Sequence, residues 1–169
     1  VISDCGFKIY LYLKLSHKRD GLNEWTINDI VKIAKISLNT FHRNINYLLS
    51  LGYICKRRAN RRLGEQYVYY LNPYFSSTKG YITLENATIE LMLMKLTDGE
   101  SKLYAYLCYM IGTAGTTCWA SQKYLAKAIG KKGHNAISQM TDQLHLKNFI
   151  RKETTSNGFV MHSTYTLIY

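Results

Sequence analysis

The sequence predicts a mainly α-helical protein with small antiparallel β-hairpins, an α+β fold in which one unit occurs twice. Three observations predict this fold. The chain of 169 residues repeats its own pattern once, each copy contains stretches with the apolar spacing of helices, and each copy ends in strand-like stretches. Because 47% of the residues are hydrophobic, there is enough apolar material for a core in each copy.

The internal repeat is visible when the sequence is laid over itself with an offset of 94 residues. Farther along, gaps placed in turns align Gly52 with Asn148 and Tyr67 with Tyr165, since turns tolerate insertions. We therefore expect two domains, residues 1–75 and residues 76–169, with a boundary near the only proline and a lead-in at residues 81–96. Eight residues of the first copy recur at the offset without a gap: Asp4, Lys8, Tyr10, Tyr12, Leu13, Gly21, Trp25 and Ala34.

Both copies contain the same order of predicted elements. Asp4 and Asp98 are the expected N-caps of a first helix, and a glycine-containing connection then leads to Trp25 or Trp119. Thr26 and Ser121 place a hydroxyl cap before a short second helix.

A tight turn then leads to a third helix, at about residues 39–51 in the first copy and 134–147 in the second. Gly52 and Asn148 suit the left-handed backbone that ends many helices. Residues 67–71 and 165–169 are strand-like, and Asn157 with Gly158 is a hairpin-turn pair. Each copy is therefore three helices followed by a hairpin.

The charge balance indicates a polyanionic partner. Lys and Arg number 22 against 11 for Asp and Glu, which gives a net charge of +11, and nucleic acid is the first candidate. Residues 1–75 hold 12 basic and 5 acidic residues, or +7, whereas residues 76–169 hold 10 and 6, or +4. The first copy is therefore the predicted anchor.

Helix, helix, turn, helix and a two-stranded wing is the layout of the winged helix-turn-helix. Residues 39–54, NTFHRNINYLLSLGYI, resemble the recognition helix and wing start of that superfamily. Residues 119–130, WASQKYLAKAIG, resemble its preceding helix in replication and regulatory proteins of Gram-positive plasmids and phages. The duplication is also similar to the TraN-like internal-dimer accessory proteins of Gram-positive conjugative plasmids. The resemblance implies a DNA-binding internal dimer with a pseudo-two-fold axis.

The third helix of each copy has one apolar and one polar face. Phe41, Ile45 and Leu48 share a face in the first copy, as Ile137 and Leu144 do in the second, so these residues are predicted to point into the core. Arg and Asn on the other face suit bidentate contacts to guanine and adenine. The predicted DNA contacts of these helices are Asn39, Thr40, His42, Arg43, Asn46, His134, Asn135, Ser138 and Gln139, with Lys131 and Lys132 on phosphates.

The predicted wing of the first copy is strongly basic. Phosphate contacts there would give affinity without sequence information, although a solvated charge run is the alternative interpretation. The second wing has only Arg151 and Lys152, so we expect it to bind more weakly. The basic residues of the first wing are Lys56, Arg57, Arg58, Arg61 and Arg62.

No enzyme, metal site or cofactor is predicted. Residues 112–117 are glycine-rich but lack the lysine of a phosphate-binding loop, and the five histidines show no zinc spacing. We interpret Cys55 and Cys118 as small buried hydrophobic residues, and Trp25 and Trp119 as core residues. Four scattered cysteines indicate reduced thiols and a cytoplasmic protein, and no apolar run reaches the length of a membrane span.

Two classes of function remain after these exclusions. The first is a double-stranded DNA-binding protein of a plasmid, phage or other mobile element, reading two unlike half-sites as a transcriptional repressor or as an accessory factor at a transfer or replication origin. The second is a winged-helix adaptor that binds other proteins in a larger assembly. We expect a monomer with internal pseudo-symmetry rather than an obligate homodimer, with proteins of a transfer or replication complex as further partners and no membrane contact.

Overall fold

Two units form the chain, Ile2–Lys79 and Gly80–Tyr169, and each has its own set of helices and strands. The computed structural model describes residues 2–20, 24–59, 67–73, 83–156 and 161–168. Within these ranges there are seven α-helices and five strands in two small antiparallel sheets. The prediction of an α+β fold with small antiparallel sheets is confirmed, whereas the predicted boundary at residues 75 and 76 lies outside the described ranges.

The first unit has three helices followed by a two-stranded hairpin. The strands pair antiparallel with Ile54 opposite Leu71. Upstream of the second helix, Trp25 and Tyr69 exchange two backbone hydrogen bonds of 2.8 Å, which adds a third short segment to the hairpin edge. The elements are α1 (Asp4–Asp20), α2 (Ile27–Ala34), α3 (Leu38–Ser50), β1 (Ile54–Arg57) and β2 (Val68–Leu71).

Hydroxyl side chains begin the helices of the first unit. Thr26 and Asp29 form a capping box at α2, and Ser37 accepts a hydrogen bond from the Thr40 amide at α3, each satisfying amides that the helix leaves free. The predicted cap at Asp4 is wrong. The N-cap is Ser3, one position earlier, whose hydroxyl accepts a hydrogen bond from the Gly6 backbone amide at 3.0 Å. Gly6 is the third residue of the helix, and its amide is one that the helix itself leaves free.

The core of the first unit forms where the three helices and the hairpin meet. Trp25 is 1% exposed and packs with Ile9, Ile30, Phe41 and Leu48, all nearly or fully buried. The ring of Phe41 meets that of Tyr69 edge to face at 5.6 Å, joining α3 to β2. This packing fixes which side of α3 faces solvent.

The second unit has four helices and a three-stranded sheet in the order β3-β5-β4. Ile150 lies opposite Leu167 in the long hairpin, and β3 pairs with the central strand through Cys118 and Tyr165. The elements are α4 (Asn86–Lys95), α5 (Asp98–Ala114), β3 (Thr117–Trp119), α6 (Gln122–Ile129), α7 (Asn135–Leu146), β4 (Ile150–Ser156) and β5 (Met161–Leu167). The predicted turn at Asn157 and Gly158 lies outside the described residues.

Polar contacts fix the helix ends of the second unit. Thr97 and Glu100 form a capping box at α5, so the predicted cap at Asp98 is wrong by one residue. The Lys147 ammonium reaches Glu100 at 2.7 Å and links the end of α7 to the start of α5. Lys102 is buried and donates to the Ile129 carbonyl at 2.6 Å, which satisfies an acceptor at the end of α6.

Helices α1 and α5 each have 17 residues and helices α2 and α6 each have 8, in the same order along the two units. The predicted caps at Thr26 and Ser121 are confirmed. The expected left-handed backbone at Gly52 and Asn148 is also confirmed, with φ of 74° and 60°.

The strand registers correct two pairings expected from the repeat. Tyr69 pairs opposite Trp25, and Tyr165 pairs opposite Cys118, so Tyr69 rather than Tyr67 stands where Tyr165 stands. Trp25 likewise corresponds to Cys118 rather than to Trp119. Because neighbouring strand residues point to opposite faces, Trp119 faces outward and is 72% exposed, so its predicted place in the core is wrong.

Candidate nucleic-acid interface

The exposed side of α3 carries the predicted base-contacting residues of the first unit. Phe41, Ile45 and Leu48 are at most 2% exposed, so the prediction that they point inward is confirmed. Thr40 is half-buried and its backbone amide and hydroxyl both contact Ser37, so it helps to cap the helix. The predicted residues with exposed side chains are Asn39, His42, Arg43 and Asn46.

A buried asparagine on α3, outside the predicted set, positions this helix. Asn44 is 5% exposed; its side-chain oxygen accepts from the Ser3 hydroxyl at 2.6 Å and its amide donates to the Thr40 carbonyl at 2.8 Å. The start of α1 is thereby tied to the middle of α3. The sequence signal for this role is an amide residue beside Ile45, on the edge of the apolar face.

Helix α7 presents a corresponding surface in the second unit. Ile137 and Leu144 are fully buried, as predicted, and so is Thr141, whose hydroxyl donates to the Ser138 carbonyl at 2.9 Å. Ser138 and Lys131 are half-buried. The predicted contact residues with exposed side chains are Lys132, His134, Asn135 and Gln139.

The exposed faces of α3 and α7 carry different side chains at corresponding positions. Aligning the helices on the fully buried pairs, Phe41 with Ile137 and Leu48 with Leu144, places Arg43 at Gln139 and Asn46 at Asp142. The guanidinium of Arg43 therefore corresponds to the neutral amide of Gln139. The amide of Asn46 corresponds to the carboxylate of Asp142.

The basic hairpin, defined as Lys56, Arg57, Arg58, Arg61 and Arg62, is described through Arg58; Arg61 and Arg62 lie outside the described residues. Lys56, Arg57 and Arg58 are exposed. The Lys56 ammonium lies 5.1 Å from the centre of the Tyr67 ring, a cation–π contact, and no carboxylate of the described ranges pairs with it. Among the described residues, Arg58 has no ion-pair partner.

Arg57 is held by a carboxylate from another part of the unit. Its Nε donates to Glu24 at 2.9 Å, and its Nη2 contacts both Glu24 oxygens at 2.6 and 2.7 Å. Because strand side chains alternate, Arg57 lies on the opposite face of β1 from Lys56. Arg57 is therefore an exposed but paired cation, a feature that the charge run alone did not indicate.

Lys152 occupies in the second unit the position that Lys56 occupies in the first. Lys56 pairs with Tyr69 across its hairpin, and Lys152 pairs with Tyr165. The Lys152 ammonium donates to the Asp142 carboxylate at 2.7 Å and to the Thr141 hydroxyl at 3.1 Å. The Lys152 side chain is 12% exposed, and its positive charge is paired with the Asp142 carboxylate of the same unit. Arg151 beside it is exposed.

Lys35, which is not in the predicted set, lies at the turn between α2 and α3. It adopts a left-handed backbone with φ of 51°, its side chain is exposed, and it has no ion pair among the described residues. A cation one turn before α3 could contact the phosphates that flank a bound helix. The feature of the sequence that indicates Lys35 is its position in the turn between the two predicted helices.

Burial keeps the thiols of two cysteines, Cys108 and Cys118, protonated. Burial raises the pKa of the Cys108 thiol to about 11 and also raises the pKa of Cys118, so both thiols are protonated near neutral pH. Cys118 is buried as predicted, whereas Cys55 is half-buried. Within the described ranges, no cluster of His, Cys, Asp and Glu could hold a metal ion, and no helix could cross a membrane.

Comparisons with known proteins add no assignment. No protein-family model matches the chain, and no curated protein matches it significantly.

Proposed function

We propose that the chain is a double-stranded DNA-binding protein and that the first unit supplies most of its affinity. One observation carries the proposal: α3 presents Arg43, Asn46 and His42 to solvent, and the hairpin that follows it carries Lys56 and Arg58, exposed cations with no carboxylate partner among the described residues. Exposed polar residues on a helix whose other face is fixed by a core suit a major groove, and exposed cations suit phosphates.

Each unit is interpreted as a winged helix-turn-helix, with α2 and α3, or α6 and α7, as the helix-turn-helix and the hairpin as the wing. The common order of elements supports this interpretation. Two such units in one chain would form an internal dimer that reads two half-sites, with α3 and α7 as the recognition helices. Because α3 and α7 differ at Arg43 and Gln139, the two half-sites would differ in sequence.

The contacts divide by chemistry. Arg43 suits a bidentate contact to guanine, whereas Asn46 and Gln139 suit adenine. Lys56, Arg58 and Lys35 suit phosphates, which fix the position of the protein without reading sequence. Asp142 would repel phosphates, and its pairing with Lys152 limits that repulsion.

The biological role that we propose is in a plasmid, phage or other mobile element, either as a transcriptional repressor or as an accessory factor at a transfer or replication origin. The resemblance of residues 119–130 to helices of Gram-positive plasmid and phage proteins supports this role. Both roles require the same DNA contacts, so the binding experiment below applies to either.

A protein–protein adaptor is the second candidate, and the exposed apolar residues of the second unit favour it. Met94, Trp119 and Leu146 are 80%, 72% and 70% exposed. Large exposed apolar side chains are typical of interaction surfaces when they lie together. An adaptor has no need of the uncompensated cations on the first unit.

Salt-titrated binding to a random duplex of about 30 bp, long enough for two adjacent grooves, tests the proposal. If roughly six to eight phosphates are neutralised, log K should fall with log salt at a slope of about −5 to −7. The double variant Lys56→Ala/Arg58→Ala should reduce the slope by about 2, since two phosphate contacts are lost.

The control is Lys14→Ala/Lys95→Ala, which removes the same charge from α1 and α4. It should change the slope by less than half as much. Absence of binding by the parent at low salt would exclude DNA binding and leave the adaptor. Equal effects of the two double variants would show attraction by net charge without a defined surface.

A further inference from the structure

The pair formed by Arg57 and Glu24 is unusual for its place in the basic hairpin. The guanidinium makes three hydrogen bonds to one carboxylate, all between 2.6 and 2.9 Å. The two side chains are 53% and 40% exposed, so the pair lies at the surface and does not support the core. An exposed pair of this kind contributes little to folding stability, typically less than about 1 kcal/mol.

Glu24 is held beside the hairpin by the backbone. The next residue, Trp25, is fully buried and its backbone is bonded to Tyr69 on β2. Arg57 lies opposite Val68 on the same hairpin. The carboxylate is therefore placed next to the guanidinium by two rigid anchors, although the two residues are 33 positions apart in sequence.

A carboxylate and a phosphate compete for the same donors of an arginine. The guanidinium fork matches both groups in bidentate geometry, so a phosphate that binds Arg57 must displace Glu24. A contact between Arg57 and a DNA phosphate therefore requires that the ion pair with Glu24 be broken. For Lys56 and Arg58, the described residues contain no carboxylate that a phosphate would have to displace.

We propose that Glu24 is a specificity-determining residue that limits sequence-independent binding by competing with DNA phosphates for Arg57. The inference rests on the proposed DNA-binding function and deepens it. Sequence-independent affinity comes from phosphate neutralisation, so withholding one cation lowers it while base contacts made by α3 are unaffected. The partner of the site is the duplex backbone, whatever its sequence.

A double-mutant cycle tests the proposal on the full chain. The four proteins are the parent, Glu24→Gln, Arg57→Ala and the double variant, each titrated with salt on random duplex. Glu24→Gln should tighten binding about twofold to fivefold near 0.1 M salt and steepen the slope by about 0.9, because one more phosphate contact forms without the loss of an ion pair worth up to about 1 kcal/mol. Arg57→Ala alone loses no phosphate contact, because in the parent Arg57 is engaged by Glu24, and it should weaken binding only by the general repulsion of the carboxylate that it leaves unpaired.

The matched control is Glu85→Gln, which removes one exposed negative charge at the start of α4 where the side chain caps nothing. If Glu24→Gln tightens binding more in the presence of Arg57 than in its absence, and by more than Glu85→Gln, the proposal holds. An equal gain with and without Arg57, or an equal gain from Glu85→Gln, overturns it. Loss of binding in every protein, the parent included, overturns the proposed function as well. Thermal melts confirm that all four proteins are folded.

Discussion

Lys56 and Lys152 occupy corresponding positions in the hairpins of the two units but have different partners. The Lys56 ammonium lies over the Tyr67 ring and has no carboxylate partner among the described residues. The Lys152 ammonium donates to Asp142 and Thr141, and its side chain is 12% exposed. The corresponding strand position therefore carries an exposed lysine in one unit and an ion-paired lysine in the other. The residue that makes this difference is on the neighbouring helix, where the first unit has Asn46 and the second has Asp142.

This comparison shows why a count of basic residues overstates the charge available to a ligand. In the second unit, Lys152 is ion-paired with Asp142 and Lys147 with Glu100. In the first unit, Arg57 is ion-paired with Glu24. Unequal affinity of the two units is thus expected from the pairing of charges and from their number. The predictions that follow test the contrast between the units.

The two tryptophans should differ most in their effect on stability. Trp25→Ala removes a fully buried ring and should destabilise the first unit by about 3–5 kcal/mol. Trp119→Ala removes an exposed ring and should change stability by less than about 0.5 kcal/mol. Urea denaturation followed by circular dichroism measures both. Equal losses would contradict the assignment of Cys118, rather than Trp119, to the inward position.

Arg43→Ala should weaken binding to a duplex selected from a random pool by about 1–3 kcal/mol, because a bidentate base contact is lost. On unselected duplex the loss should be smaller. Gln139→Ala, at the corresponding position of α7, is the matched variant and should have the smaller effect on selected duplex. Fluorescence anisotropy measures both, and a uniform loss on every sequence would instead identify Arg43 as a phosphate contact.

Lys56→Ala and Lys152→Ala should have different effects on the slope of log K against log salt. Lys56→Ala should reduce the slope by about 0.9, since one phosphate contact is lost, and Lys152→Ala should leave it nearly unchanged. Both variants remove one positive charge, so each serves as the control for the other. The same reduction in both would mean that Asp142 releases Lys152 to the duplex.

Tyr10 should give the smallest effect, seen only at high pH. Burial, with a smaller contribution from nearby Tyr53, raises the pKa of Tyr10 from 10.0 to about 12. The protonated phenol therefore stabilises the folded first unit fully below pH 10, and this contribution is lost as the pH rises from 10 to 12. Tyr10→Phe has no phenol to ionise, so its free energy of unfolding should not fall in this way. Relative to the parent, its free energy of unfolding should rise by about 1 kcal/mol between pH 9 and pH 11. Urea midpoints at the two pH values measure this change, and a constant difference would contradict it.

Local signals predicted much of the fold. Thr26 and Ser121 were found as caps because a hydroxyl before an apolar stretch has a direct role at a helix start. Phe41 and Leu48 were placed in the core because helical spacing puts them on one face. Such signals depend on residues within about one turn of each other, so the sequence contains them completely.

Long-range pairing could not be predicted in this way. Glu24 and Arg57 are 33 positions apart, and they are brought together by the two backbone hydrogen bonds between Trp25 and Tyr69 and by the pairing of Arg57 with Val68. The outward turn of Trp119 has a related cause. Two residues, Trp119 and Ala120, separate Cys118 from the helix cap, whereas Trp25 directly precedes its cap at Thr26, so an alignment by residue identity matched the wrong register.

Amide hydrogen exchange with and without duplex DNA tests most directly whether the first unit is the principal DNA-binding surface. Bound duplex should slow exchange in the segment from α3 through β1, residues 38–57, and slow it less in α7. Exchange in α4, which carries none of the proposed contacts, should not change. Protection confined to α4 or to the strand bearing Trp119, or no protection under conditions where binding is saturated, would contradict the proposed interface.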